Sequence, residues 1–182
     1  MHYLSLLRGI NVGGQKQIKM QDLQKLYEDL GFTKVQTYIQ SGNVLFETAE
    51  TASKIDLAQA ISQKIQAHYG FLVEILVLSL AELQIAIQQN PFAGTAHEEK
   101  TYFTFLATLP EENLLQNLLA LDYSPEQLHI IGQTAYFYSP QGYGNAKLNN
   151  NLIEKKLKTV ATTRNWKTTV HLCQLLQERT EK

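Results

Sequence analysis

The amino-acid sequence predicts an α+β fold of two tandem βαββα units joined by one helix, with an extra helix at the C-terminus. Three observations predict it. The order strand, helix, strand, strand, helix is read twice along the 182 residues. The second and third strands of each pass are separated by a short glycine-containing turn, a hairpin signal. The first two helical stripes end at or near glycine, Gly31 and Gly70, which supplies the left-handed stop that other residues resist.

In chain order, HYLSLL (His2 to Leu7) is a short apolar run that halts at Arg8-Gly9 and reads as a strand. Met20, Leu23, Leu26, Tyr27 and Leu30 then recur at helical spacing and stop at Gly31. KVQTYI and NVLFE are β-branched or aromatic runs flanking QSG. Ile55, Ala58, Ile61 and Ile65 mark a helix ending near Gly70, and FLVEILVLS follows as a strand. The first unit is assigned residues 1–78. A connecting helix and loop, 79–99, opens with Ser79 as N-cap and Glu82 three residues on, the capping-box spacing.

The second unit, 100–182, repeats the grammar. TYFTFLA is a strand. PEENLLQNLLAL is a helix with Pro110 in its first turn and Glu111 and Glu112 near its positive end. QLHII and AYFYS make a hairpin around Gly132-Gln133, SPQGYGNAKLN is a loop, and Leu152, Ile153 and Leu157 mark a helix. The last helix runs from about Asn165 with Trp166, Val170, Cys173 and Leu176 on one stripe. Each unit therefore resembles the ferredoxin-like plait.

Composition excludes several function classes. A formal net charge of -1 with 44% hydrophobic and 18% charged residues argues against a surface devoted wholly to nucleic acid. One cysteine forms no intramolecular disulfide, and neither a signal segment nor an apolar run of bilayer length is read, so a cytoplasmic location without membrane association is expected. His2, His68, His97, His129 and His171 show no metal-ligand spacing. No metal and no cofactor are expected.

The stretch LLRGINVGGQKQIKM, Leu6 to Met20, carries the candidate site. In a plait the first strand runs up, the crossover helix down and the second strand up again, so the hairpin QSGN lies at the same end as the first loop. The amino end of the Met20 helix points there too, adding about half a positive elementary charge and unpaired N–H groups. Arg8, Lys16 and Lys19 lie in or beside the loop, and no acid occurs before Asp22. Gly9, Gly13 and Gly14 allow positive φ and amide nests. These features suit an anion, although neither the P-loop nor the dinucleotide-binding fingerprint is present and glycines here also serve a plain turn.

LLRGINVGG, the KM..L..L helix opening, YIQSGNV and ATTRNWKT together resemble the bacterial DUF1697 family over Met1 to about Leu176. The resemblance implies the α+β fold of two plait-like units and supplies no reaction. It places the family's polar motif residues at Arg8, Gly9, Asn11, Gly13, Gly14, Lys19, Ser41, Gly42 and Asn43, with Thr163, Arg164, Asn165 and Trp166 near the end. Where the family tends to read Gly-Arg-Ser-Lys-Leu, this chain has GNAKL, keeping Lys147, so a ligand contacted there is expected to be held less strongly or to be a variant.

The resulting candidate anion site comprises Arg8, Gly9, Asn11, Gly13, Gly14, Lys16, Lys19, Ser41, Gly42, Asn43, Lys147, Arg164 and Asn165. Its expected partner is a phosphate-bearing small molecule such as a nucleotide. The alternatives are nucleic-acid binding, an enzyme on a phosphorylated substrate, and a homo-oligomeric assembly module. No acid–base pair at catalytic spacing identifies a reaction.

Overall fold

The structure is a computed structural model and describes residues 1–49 and 51–180; the expected C-terminal limit of the second unit, residue 182, falls outside them. The elements run β1 (His2–Leu7), α1 (Met20–Glu28), β2 (Thr33–Tyr38), β3 (Asn43–Glu47), α2 (Lys54–Tyr69), β4 (Ile75–Leu78) and α3 (Leu80–Gln88). They continue with β5 (Thr101–Leu106), α4 (Glu112–Leu119), β6 (Gln127–Ile131), β7 (Thr134–Tyr138), α5 (Asn150–Leu157), β8 (Ala161–Asn165) and α6 (Trp166–Thr180). Contacts divide the chain into one unit of Met1–Leu83 with Leu172–Lys182 and another of Gln84–His171.

In the first unit the sheet order is β2-β3-β1-β4, every pair antiparallel, which is the plait order. Strand alternation puts Tyr3, Leu7, Val44, Phe46, Ile75 and Val77 on the face that packs against Leu23, Leu26 and Tyr27 of α1 and Leu57, Ile61 and Ile65 of α2. One polar pair is built into that core. Ser5 and Tyr27 are fully buried with their hydroxyls 2.7 Å apart, and Ser5 also donates to the Val44 carbonyl, so neither is left unsatisfied. At β2, Arg179 from the C-terminal stretch gives its guanidinium to the Lys34 carbonyl and the Gln36 side chain.

The stop read at Gly70 and the capping box read at Ser79 both form, and Ser53 adds a box that the sequence reading omits. Ser53 and Asp56 form a capping box at α2, whose end is Gly70 at φ 76°. Ser79 and Glu82 bond reciprocally at α3, and Lys54 pairs with Glu82.

The second unit has the order β6-β7-β5-β8, again wholly antiparallel. Phe137, Ala135, Leu106 and Ala161 pack on Leu118, Leu148, Ile153 and Leu157. β8 is the element that the sequence reading omits. ATTRN carries no apolar alternation, because Ala161 is its one apolar residue on the helix-packed face, where Thr163 bonds to Thr104, and the opposite face is filled by Thr162 and Arg164, both buried. With β8 the unit is a complete βαββαβ plait. A second correction concerns α4: Glu111 is its N-cap and Pro110 stands before the helix, not within its first turn. Asn165 caps α6, accepting the Thr168 N–H at 2.8 Å. Among the described residues no helix is long and apolar enough to cross a membrane.

Candidate functional site

The loop between β1 and α1 is fastened at both sides of the sheet end. The Leu7 N–H donates to the Gly42 carbonyl at 2.8 Å and the Arg8 N–H to that of Glu74 at 2.9 Å. Ile10 and Ile18, both buried, plug the loop into the core. Between them the chain reverses in a tight turn, Val12 to Gln15, whose two central residues, Gly13 and Gly14, have φ of 57° and 76°. Two consecutive left-handed residues are what this kind of turn demands, hence the Gly-Gly pair.

Asn11 holds the turn to its surroundings. Its Nδ2 donates to the Ile18 carbonyl at 3.0 Å and the Gln40 carbonyl at 2.9 Å, while its Oδ1 accepts the Ile18 N–H at 2.9 Å. Its φ of 56° is one that asparagine tolerates better than most residues. Lys16 reaches the other side, giving Nζ to the Leu72 carbonyl at 2.7 Å. Three loops, after β1, after β2 and after α2, are thereby joined at one end of the first unit.

Beside this junction is an open cavity of about 440 Å³. Asn11, Gly14, Gln17 and Gln40 line its wall together with the apolar Ile18 and Met20. Lys19 and Asp22 bring the two charges. Lys19 is the N-cap of α1 and provides no side-chain cap, so the first-turn N–H groups keep their capacity to donate. Tyr69, the last residue of α2, completes the wall. Its hydroxyl is shielded from water and has no hydrogen-bond partner. Burial foremost, and then the charge of Asp22, push that phenol above its ordinary pKa, which keeps it a neutral donor.

Of the thirteen candidates read from the sequence, Asn11, Gly14 and Lys19 are on this wall. Arg8, Gly9, Gly13, Lys16, Ser41, Gly42 and Asn43 belong to the same end of the unit but do not line it. Gly42 has a packing role: a Cβ there would stand 2.7 Å from Leu7 Cβ and 2.9 Å from Ile10 Cδ1. Asn43, fully buried, donates to the Tyr38 carbonyl and the Ser41 hydroxyl and so closes the hairpin.

Lys147, Arg164 and Asn165 lie in the second unit. The Lys147 N–H donates to Glu126 and its Nζ to the Ser124 carbonyl. Arg164 is 8% exposed and donates from Nη1 to Thr162 Oγ1 and the Thr163 carbonyl, each at 2.8 Å. Burial holds its guanidinium down to about 10, against a smaller opposing effect of Tyr143.

Gln17, Asp22, Gln40 and Tyr69 are wall residues that the sequence reading did not select. The signal for Tyr69 was present: continuing the alternation of directions past β3 puts the α2–β4 turn at the same end as the first loop. Among the described residues no three His, Cys, Asp or Glu side chains cluster as a metal site would require. The Cys173 thiol is pushed up by burial, the opposite of activation. Carboxamides, one ammonium, one carboxylate and a neutral phenol form a set suited to binding a polar molecule.

A family model described as a protein of unknown function, DUF1697, matches residues 1–136. A search of curated proteins found no match. Among solved structures the chain is similar to the conserved bacterial protein SP0830 from Streptococcus pneumoniae, with 26% identity and a TM-score of 0.76, covering 96% of this chain and 98% of that one.

Proposed function

This chain belongs to the DUF1697 family, proteins of unknown function, and on that premise we propose that its first unit binds a small phosphate-bearing molecule in the cavity at the amino end of α1. The observation that carries the reading is the joint presence, on one wall, of Lys19 at an uncapped helix start and the partnerless Tyr69 hydroxyl. The helix start and the ammonium favour negative charge, and the phenol, closed to water in the free protein, becomes a donor to an acceptor oxygen only when its side chain turns towards the ligand. A cavity of this volume falls within the usual range for small-molecule sites.

Asp22 refines the reading. Its carboxylate shares the wall, so the anionic group belongs at the Lys19 side and the uncharged remainder of the molecule towards Asp22. The test is a thermal-shift screen against inorganic phosphate, alkyl phosphates, sugar phosphates, nucleotides and short single-stranded RNA, on the wild type and on Lys19→Ala. A compound at a hundredfold excess over its Kd stabilises by about 2.7 kcal/mol, a shift of several degrees for a chain of this size. A phosphate-dependent shift that is lost in Lys19→Ala supports the reading. Absence of a shift with every compound refutes it.

A further inference from the structure

We infer that β6 is a self-pairing edge, through which two copies of this chain join antiparallel strands about a twofold axis at His129. The sheet of the second unit ends on this strand, Gln127–Ile131. Which of its backbone groups point outwards follows from β7. The Gln133 carbonyl accepts the Leu106 N–H of β5, so Gln133, Ala135 and Phe137 turn their backbone groups to β5, and Thr134, Tyr136 and Tyr138 turn theirs to β6. The register partners of these last three, Ile131, His129 and Gln127, are therefore bonded inwards. Leu128 and Ile130 are left with N–H and C=O groups directed away from the sheet, and among the described residues nothing bonds to those groups.

Edges of this kind are normally blocked by charge, proline or a bulge. The β2 edge of the first unit is blocked: it carries Lys34 at φ 48°, its register shifts between Thr33 and Gln36, and Arg179 takes the Lys34 carbonyl. β6 has none of these devices. QLHII contains no acid, lysine, arginine or proline, its register is unbroken over five residues, and Gln127, His129 and Ile131 are exposed.

A second copy fits this edge. Leu128 and Ile130 stand symmetrically about His129, so a twofold axis there pairs Leu128 of each copy with Ile130 of the other in two doubly hydrogen-bonded pairs and sets Gln127 against Ile131. With neutral imidazoles no like charges are opposed. A second copy also extends the contact beyond what a lone peptide offers. α5 packs on β8 and α4 on α5, so α4 is the helix on the β6 side, and Leu119 at its end and Leu121 just beyond are 40% and 44% exposed. Joining the sheets brings the two α4 helices to the same side of the seam, which adds area to an interface that five-residue strands alone would leave small.

The experiment combines light scattering of the whole chain over a dilution series with disulfide trapping. At the twofold axis His129 opposes itself in a pair without hydrogen bonds, where Cα atoms stand about 4.5 Å apart, within reach of a disulfide. His129→Cys treated with oxidised glutathione therefore yields a covalent dimer on a non-reducing gel. Gln127→Cys lies four residues along the strand from its own counterpart, roughly 13 Å, and yields at least about tenfold less. The wild type, whose one cysteine is the buried Cys173, is the blank. His129→Lys sets two ammonium groups against each other and weakens the dimer at least about tenfold, while circular dichroism shows the chain still folded.

A wild type that passes from one chain to two with rising concentration, trapping confined to His129→Cys, and dissociation in His129→Lys support the assignment. A monomer at every concentration overturns it and leaves the edge to a strand of another protein. Equal trapping at both positions, or a dimer that His129→Lys leaves intact, puts the contact elsewhere on the molecule and overturns it as well.

Discussion

The carboxamide of Asn11 joins two loops that are distant in sequence, donating to the Gln40 carbonyl at 2.9 Å and the Ile18 carbonyl at 3.0 Å while accepting the Ile18 N–H. An asparagine in the glycine-rich loop is thus the clamp that shapes the cavity wall. Asn11→Asp retains the acceptor and turns both donor contacts into carboxylate–carbonyl oppositions. The expected cost is about 1–3 kcal/mol, read from urea denaturation, together with loss of any phosphate-dependent thermal shift.

Two glycines of the site motifs separate by mechanism. Gly14→Ala places a methyl in open space and suffers only the left-handed backbone at φ 76°, a cost of roughly 1–2 kcal/mol. Gly42→Ala meets the same backbone penalty and also drives a Cβ against Leu7 and Ile10, so roughly 2–5 kcal/mol is expected. Paired denaturation curves of the two variants check the order, and equal costs would remove the packing role assigned to Gly42.

These particulars show how far the residues alone reach. The plait order, the hairpin ends and the meeting of the first loop with QSGN were legible, because period-two and helical stripes and the glycine stops are local signals. β8 was not legible, since a strand of one alanine followed by Thr162, Thr163, Arg164 and Asn165 lacks the apolar alternation that identifies strands, and its bonds to β5 are long-range. For the site, the chain foretold the end of the unit but not the wall. Lys16 reads as a free cation and is tied to Leu72, whereas Gln17 and Gln40 stand inside the quoted motifs but carry no charge to single them out, and Tyr69 acquires its position only when α2 is in place.

Asp22 opposes an anion in the cavity. Asp22→Asn removes a like charge from the cavity wall, so phosphate binding, followed by calorimetry, tightens. The same change weakens the interaction with the α1 dipole by about 0.3–1 kcal/mol. It also removes the second of the two causes that raise Tyr69, so the phenol titrates closer to its ordinary value in a spectrophotometric pH series.

Glu82 governs an acid-side transition. Burial pushes its carboxyl up, but Lys54 and the bonds from the Ser79 backbone and hydroxyl outweigh that effect and leave it below the usual carboxylate range. A carboxyl with a depressed folded pKa contributes stability above its unfolded value of about 4.5, and the contribution is lost as pH falls through the folded value. Glu82→Gln therefore lowers the melting temperature at pH 7, and the two proteins converge as the pH falls below the folded value of Glu82. Parallel curves over that range would exclude the ion pair as a source of stability.

The most direct measurement of the central claim is a phosphate titration followed by amide NMR of the whole chain. Binding at the amino end of α1 moves the signals of Gln17 to Leu23, Gln40 and Tyr69 in a saturable manner, with those of Lys147, Arg164 and Asn165 unchanged. Perturbations confined to those second-unit residues, or none at any concentration, would contradict the account.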